Sequence, residues 1–283
     1  MTPGTPAPAT PAEMLAAAAV LGLDRLDAQL LLLHALGRSA DERAWLIAHD
    51  TDPLSDAVWP AFSRLCARRT AGEPVAYLVG EKEFHGLRLQ VDARVLVPRP
   101  DTETLVDWAL QCLDGLTAPS VLDLGTGSGA VALAIGAARA DARIGAVDAS
   151  AGALAVARAN ALRLGLSVHF IEGNWLAGAD AGYDLIVSNP PYIAAGDAHL
   201  PALMHEPSQA LVSGIDGLDD IRRIVQAAPG HLKDGGWLLL EHGHDQAAAV
   251  RNLLALHGFA KVQSRNDLAG IARCSGGIRR SVK

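Results

Sequence analysis

The sequence predicts an α/β protein: a doubly wound, seven-stranded Rossmann-like sheet preceded by a small helical bundle and a β-hairpin linker. Three observations carry this. From residue 120 onward, short β-rich runs alternate with helical segments. Before residue 71, Ala, Leu and Arg dominate and no β-rich run occurs. Between the two, residues 72–97 alternate in the manner of paired strands.

The opening MTPGTPAPATPAE lacks the basic and apolar segments of a signal peptide, and its Pro, Thr and Ala content reads as a disordered extension over residues 1–11. Residues 12–71 read as helices. Asp24 to Gly37 ends on a glycine suited to a helix C-cap, and Thr51 to Asp56 offers capping side chains for a further helix. Val75–Gly80 and Leu87–Val97 read as strands of the linker, with Glu81-Lys82-Glu83 as a solvated turn. The α/β domain is expected over residues 98–283, with a first helix opening after Pro100. Its strands are placed at Val121–Leu124, Ile144–Asp148, Val168–Glu172, Leu185–Ser188, Trp237–Glu241, Lys261–Ser264 and Ala272–Cys274. Its helices are placed at Ala130–Ala140, Ala151–Leu164, Asp219–Leu232 and Gln246–His257.

The chain has 283 residues, half of them hydrophobic and 19% charged, enough for a large core. A net charge of −7 argues against broad non-specific nucleic-acid binding. Cys66, Cys112 and Cys274 are scattered without metal-ligand or disulfide spacing, which fits a reducing compartment. The apolar run Met14–Leu23 is too short to span a bilayer, so a cytoplasmic, soluble protein is expected.

The first chemical signal is Val121 to Ala130, a strand running into glycines 125, 127 and 129 before a helix. Gly125, Thr126, Gly127, Ser128 and Gly129 form a loop whose backbone can approach a ligand, with free N–H groups at the helix start. A tight strand–helix turn is the plain alternative, and the spacing also satisfies a dinucleotide fingerprint. Asp148 closes the second strand, where a carboxylate accepts ribose hydroxyls from any adenosine cofactor, NAD included. Asp123 stands just before the glycines. A carboxylate there repels a pyrophosphate and suits a cationic amino and sulfonium group, which favours S-adenosylmethionine; capping of the turn is its structural alternative.

The second signal is Asn189-Pro190-Pro191-Tyr192 at the end of the fourth strand, on the edge where ligand crevices form. Methyl transfer to a planar NH₂ group requires that the nitrogen be aimed and its lone pair partly localised. Two acceptors, the Asn189 side-chain carbonyl and the Pro190 backbone carbonyl, would do both, and Tyr192 offers an aromatic face. A third stretch, Phe170 to Trp175, places Asn174 and Trp175 to meet an adenine, although a Trp after a strand is often core. His242 and His244 resemble a metal pair but lack a nearby ligand cluster, so no metal is expected.

These residues resemble class I S-adenosylmethionine-dependent methyltransferases acting on amino or amide nitrogen. Gly72–Gly80, Glu83–Leu87, Val97–Glu103, Asn189–Ile193, Glu206-Pro207 and Leu238–Gly243 narrow the resemblance to the HemK/PrmC family over nearly the whole chain. That resemblance implies methylation, at N5, of the glutamine in the Gly-Gly-Gln motif of peptide chain release factors. It implies a helical domain that helps grip the release factor; a monomer without stable nucleic-acid partners is expected. It implies cofactor contacts at Gly125–Gly129, Asp148, Trp175 and Asn189, with Asn189 through Tyr192 holding the glutamine. The Arg99–Glu103 segment sets it apart from ribosomal-protein glutamine methyltransferases. Members often carry Asp where this chain has Asn174, which bears on cofactor affinity. The alternatives are a DNA adenine-N6 methyltransferase and an inactive cofactor- or release-factor-binding module.

Overall fold

The structure, a computed structural model, describes residues 7–280, so residues 1–6 of the expected extension lie outside it. The chain forms two compact units, one ending at Glu81 and the other beginning at Lys82.

The first unit holds α1 (Pro11–Val20), α2 (Arg25–Ala35), α3 (Arg43–Ala48), α4 (Val58–Thr70) and α5 (Val75–Val79). Helix α1 starts one residue inside the expected extension. Pro11 suits its first turn, and Thr10 and Glu13 form a capping box. Asp24 caps α2 through the Leu26 N–H at 2.8 Å. Met14, Leu31, Leu32, Leu33, Leu46 and Phe62 fill the bundle core. The Thr51–Asp56 segment does not cap α4; that helix opens later, from Ala57, with no side-chain cap.

Val75–Val79 is a helix, not the expected strand. So short an apolar run carries no decisive period, and packing settles it. Ala76 and Leu78 are buried, with Leu78 in the bundle core and Val75 and Val79 packed against it.

The linker hairpin is short: β1 (Glu81–Phe84) and β2 (Leu87–Gln90) flank a two-residue turn with His85 at φ 48° and Gly86 at φ 77°. Glu81, Lys82 and Glu83 thus lie in a strand rather than a turn, and residues 91–97 are irregular. Val91, Val95 and Val97 are nonetheless buried, so the alternation there reflects core contact without strand pairing.

The second unit continues with α6 (Glu103–Cys112), β3 (Ser120–Leu124), α7 (Ala130–Ala138), β4 (Arg143–Asp148), α8 (Ala151–Leu164), β5 (His169–Glu172) and β6 (Tyr183–Ser188). It ends with α9 (Asp219–Ala227), β7 (Leu232–Glu241), α10 (Ala247–Leu256), β8 (Phe259–Asn266) and β9 (Ala272–Arg279). Helix α9 stops five residues before its expected end, where Pro229 and Gly230 enter a single 3₁₀ turn. The strands order as β5-β4-β3-β6-β7-β9-β8, with β9 antiparallel to both neighbours and the rest parallel.

Alternation along the strands splits the core in two. Val121, Leu185, Val187 and Leu239 face α6 and α7, whereas Leu122, Ile186, Leu238 and Leu240 face α9 and α10. Burial on both faces explains why these strands read as continuous apolar runs.

One buried polar side chain joins three elements. Asn160 of α8 accepts from the Gln90 N–H at 2.7 Å and donates to the Gln90 carbonyl at 3.0 Å and the Ser128 carbonyl at 2.9 Å. It is fully buried, so β2 and the glycine loop depend on it for those bonds. Asn160→Leu strands buried backbone groups and is expected to destabilise the second unit by about 2–4 kcal/mol. Urea unfolding measures this, and a midpoint shift equivalent to less than about 0.5 kcal/mol contradicts it.

Candidate active site

The carboxyl ends of β3, β4, β6 and β7 form one edge. A cavity of about 260 Å³ opens there, its walls including Gly125, Gly127, Asp148, Asn174, Trp175 and Asn189. A smaller cavity of about 50 Å³ shares Gly125, Gly127 and Asn189 and adds Asp123, Thr126, Ser128 and Thr102.

The glycine loop is held by its own amides. The Gly125 and Thr126 N–H groups donate to the Val147 carbonyl at 2.8 and 3.0 Å, Gly127 to Asp148 Oδ2 at 2.8 Å, and Gly129 to the Thr126 carbonyl at 2.8 Å. These bonds fix the shape of the loop, while among the described residues no bond is made by the Ser128, Ala130 and Val131 N–H groups at the start of α7. Gly127 is the open position, since a Cβ built on it meets nothing within 4 Å. Gly129 turns the chain into α7 at φ 85°, a left-handed backbone that requires glycine, and it lines neither cavity.

Asp123 is only 1% exposed. Its Oδ2 accepts from the Thr126 hydroxyl at 2.6 Å and the Ala132 N–H at 3.2 Å, so the geometry realises the capping reading. Burial, opposed by these two bonds, still pushes its carboxyl up to about 7. Asp148 accepts from Gly127 and, through Oδ1, from the Ser150 N–H at 2.8 Å. A carboxylate oxygen has a second lone pair, and Asp148 walls the larger cavity.

Asn189 follows β6 directly. Its Nδ2 donates to Thr102 Oγ1 at 3.1 Å, leaving Oδ1 as the free end of the amide. Among the described residues no backbone N–H donates to the Pro190 carbonyl. Pro191 walls the larger cavity, while Pro190 and Tyr192 line neither. The Tyr192 hydroxyl donates to Glu241 Oε1 at 3.3 Å, and burial beside that carboxyl raises the phenol well above its ordinary value. Glu241, at the end of β7, is pushed up to about 7 by its own burial.

Trp175 sits at φ 53°, unusual for a bulky residue. Its ring lies where a Gly125 Cβ would approach within 3.1 Å, and its Nε1–H donates to Asp220 Oδ1 at 3.1 Å. Asp220 Oδ2 in turn accepts from the Ser213 hydroxyl at 2.7 Å. Trp175 therefore both packs against the core and walls the cavity, and Asn174 stands exposed beside it.

His242 is buried with both ring nitrogens engaged, Nδ1 donating to the Gly243 carbonyl at 2.9 Å and Nε2 accepting from the Ser275 hydroxyl at 2.8 Å. Burial lowers its pKa and keeps the ring neutral. Among the described residues no group of three or more His, Cys, Asp or Glu is placed to hold a metal ion. None of their helices is long and apolar enough to cross a membrane.

Sequence reasoning missed Thr102, Asn160 and Asp220 as parts of this site. It quoted Glu241 without giving it a role. A signal existed for Glu241, an acid closing an apolar strand just as Asp148 does. Thr102 lies in the Arg99–Glu103 segment that the family resemblance marks, but its bond to Asn189 and that of Asp220 to Trp175 join residues distant in sequence, and no local pattern shows them.

A doubly wound sheet with a glycine loop after its first strand, an acid after its second and Asn-Pro-Pro-Tyr after its fourth defines a methyltransferase of the Rossmann-like class. The Methyltransferase small domain model matches residues 103–263, and the PrmC N-terminal domain model matches residues 10–80. A release factor glutamine methyltransferase from Bordetella pertussis is 54% identical over 260 residues, 90% of this chain and 95% of that one. Another, from Burkholderia pseudomallei, is 50% identical over 282 residues, 96% of this chain and 97% of that one. A methyltransferase structure from Pyrococcus furiosus, 18% identical, shares the fold with a TM-score of 0.54 over 76% of this chain and 100% of that one. The chain belongs to the release factor glutamine methyltransferase family.

The raised carboxyl of Glu241 makes a testable pH dependence. Its folded pKa of about 7 lies above the ordinary 4.5, so its contribution to stability is complete at low pH and is lost as pH rises through 7. The full effect is about 3 kcal/mol. Glu241→Gln removes this titration. The melting temperature of the variant minus that of the wild type is expected to be higher at pH 8 than at pH 5. Equal differences at the two pH values contradict the raised pKa.

Proposed function

We propose that this protein transfers a methyl group from S-adenosylmethionine to the side-chain N5 of the glutamine in the Gly-Gly-Gln motif of peptide chain release factors. The observation that carries the reading is the orientation of the Asn189 amide. Its nitrogen is committed to Thr102, which leaves its oxygen as the acceptor end, one residue before a Pro190 carbonyl that takes no backbone N–H among the described residues. Two acceptors at this edge suit the two N–H bonds of a primary amide, and the relatives' names point to the same substrate.

The larger cavity fits the cofactor in chemical terms. Asp148 has lone pairs for ribose hydroxyls, Asn174 and Trp175 provide a polar edge and a flat face for adenine, and Gly127 leaves open space. When bound, S-adenosylmethionine supplies an electrophilic methyl on a sulfonium. Gly125 to Ser128 shape the wall on that side, with Thr126 and Ser128 on the smaller cavity, Gly129 turning the chain into α7 and Asp123 anchoring the loop. Asn189 and Pro190 aim the amide nitrogen and draw density onto it through its N–H bonds. Pro191 stiffens the segment and Tyr192 closes the glutamine site. This is catalysis by orientation and electrostatics.

In this reading the helical unit docks the release factor, and the protein acts as a cytoplasmic monomer with no lasting hold on nucleic acid. Labelled methyl transfer to a release factor tests it. Label is expected on the intact protein and absent when the motif glutamine is replaced; label that survives the replacement refutes the substrate. Asn189→Ala is expected to lower kcat by roughly 10²–10³ while most cofactor binding remains. Wild-type turnover in that variant refutes the acceptor role.

A further inference from the structure

Trp175 carries its indole on a left-handed backbone at φ 53°, which is costly for a bulky side chain and persists only where the surroundings impose it. The ring walls the larger cavity. On one side it faces Gly125, whose missing side chain leaves it room. At its edge, Nε1–H donates to Asp220 Oδ1 at 3.1 Å, across 45 residues of chain.

Asp220 is itself held. Its Oδ2 accepts from the Ser213 hydroxyl at 2.7 Å, and its backbone N–H donates back to Ser213 Oγ at 2.8 Å. This reciprocal pair fixes the carboxylate with Oδ1 toward the indole. Arg223 also reaches Oδ1 at 3.1 Å, but it is largely exposed, where an ion pair contributes little. Ser213 is buried, and its N–H donates to the Ile193 carbonyl at 3.0 Å. A line of bonds thus runs from the residue after Tyr192, through Ser213 and Asp220, to the indole.

An acid in the first turn of α9 has a plainer explanation, the favourable field at a helix start. Asp219 and Asp220 share that turn, and their surroundings separate the two roles. Asp219 is half exposed, pairs with Arg222 at 2.9 Å and lines neither cavity. Asp220 is 14% exposed, lines the larger cavity and meets the indole. Either acid serves the helix start; only Asp220 touches a residue of the cavity wall. Without its carboxylate, nothing polar opposes relaxation of Trp175 to negative φ, and the flat face of the ring would turn away with the backbone.

We propose that Asp220 is a positioning residue for the cofactor, holding the Trp175 indole as the adenine wall of the larger cavity and itself set by Ser213. The inference deepens the functional reading above and rests on its placement of S-adenosylmethionine in that cavity.

The test uses the full-length protein and the variants Asp220→Ala, Asp220→Asn, Asp219→Ala, Trp175→Phe and Asp220→Ala/Trp175→Phe. Calorimetry gives the Kd for S-adenosylmethionine, and methyl transfer to a release factor gives kcat at saturating cofactor. Asp220→Ala is expected to raise Kd at least about tenfold with kcat within about threefold of wild type. Asp220→Asn keeps an oxygen for the indole and a donor for Ser213 Oγ, so its Kd is expected within about threefold of wild type. Asp219→Ala, which alters the helix start alone, is also expected within about threefold. Trp175→Phe lacks the N–H and is expected to raise Kd about fivefold or more, yet to add little in the Asp220→Ala background, because both changes remove one bond.

A Kd for Asp220→Ala within about threefold of wild type overturns the inference, as do multiplicative losses in the double variant. Equal weakening in Asp219→Ala and Asp220→Ala also overturns it, since that marks the helix start and not the bond to the indole. Where Asp220→Ala does not fold, Trp175→Phe decides, and a wild-type Kd in that variant overturns the inference. Wild-type protein that binds no S-adenosylmethionine overturns the functional reading and this inference with it. Wild-type binding beside equal binding by Asp220→Ala overturns the inference alone.

Discussion

The site depends on the register of β6 between β3 and β7. Parallel pairing sets Leu124 against Ser188 and Ser188 against Leu240, and the Ser188 hydroxyl locks the junction by donating to the Leu124 carbonyl at 2.7 Å. Side chains on a strand alternate faces, so a slip of one residue would turn the end of β6 over. It would also part Asn189 from Glu241 and from the glycine loop. The core resists such a slip, because Ile186 and Val187 are fully buried on opposite faces.

Around that edge the molecule buries polar groups that a purely apolar design would leave out. Asp123, Asn160 and Glu241 are all at most 1% exposed. Each is bonded to a segment that has no regular structure of its own, or to a residue on one: Asp123 to Thr126 in the glycine loop, Asn160 to the Ser128 carbonyl, Glu241 to Tyr192. Loops lack ladder hydrogen bonds, so fixed side chains on neighbouring strands and helices must supply their geometry. The raised carboxyls of Asp123 and Glu241 are the energetic trace of this arrangement. Their burial opposes stability above neutral pH, and the interior tolerates it because the rest of the sheet is apolar on both faces.

The left-handed backbone of Trp175 belongs to the same pattern. A φ of 53° is unfavourable for an indole-bearing residue, yet the ring is held between Gly125 on one side and Asp220 on the other. A glycine at 125 gives the ring room, and the Asp220 bond fixes its edge. Part of the wall of the larger cavity is thus built by three residues, Gly125, Trp175 and Asp220, that the chain separates widely.

The sequence by itself determined the doubly wound sheet, seven strands, the order of motifs and the residues that meet at the carboxyl edge of the sheet. The reason is physical: strands buried on both faces must be apolar throughout, and glycine- and proline-rich turns have few other uses at strand ends. Asn189, Asp148 and the glycine loop were legible in that way. Tertiary structure alone decided how those groups are used. Val75–Val79 became a helix because its neighbours offered a bundle core, and Gly129 took a left-handed backbone at the start of α7, away from both cavities. The loop amides went to Val147 and Asp148 rather than to open space. Thr102, Asp220 and Glu241 acquire meaning only from partners dozens of residues away, because a hydrogen bond is set by distance and angle and leaves no period in the chain.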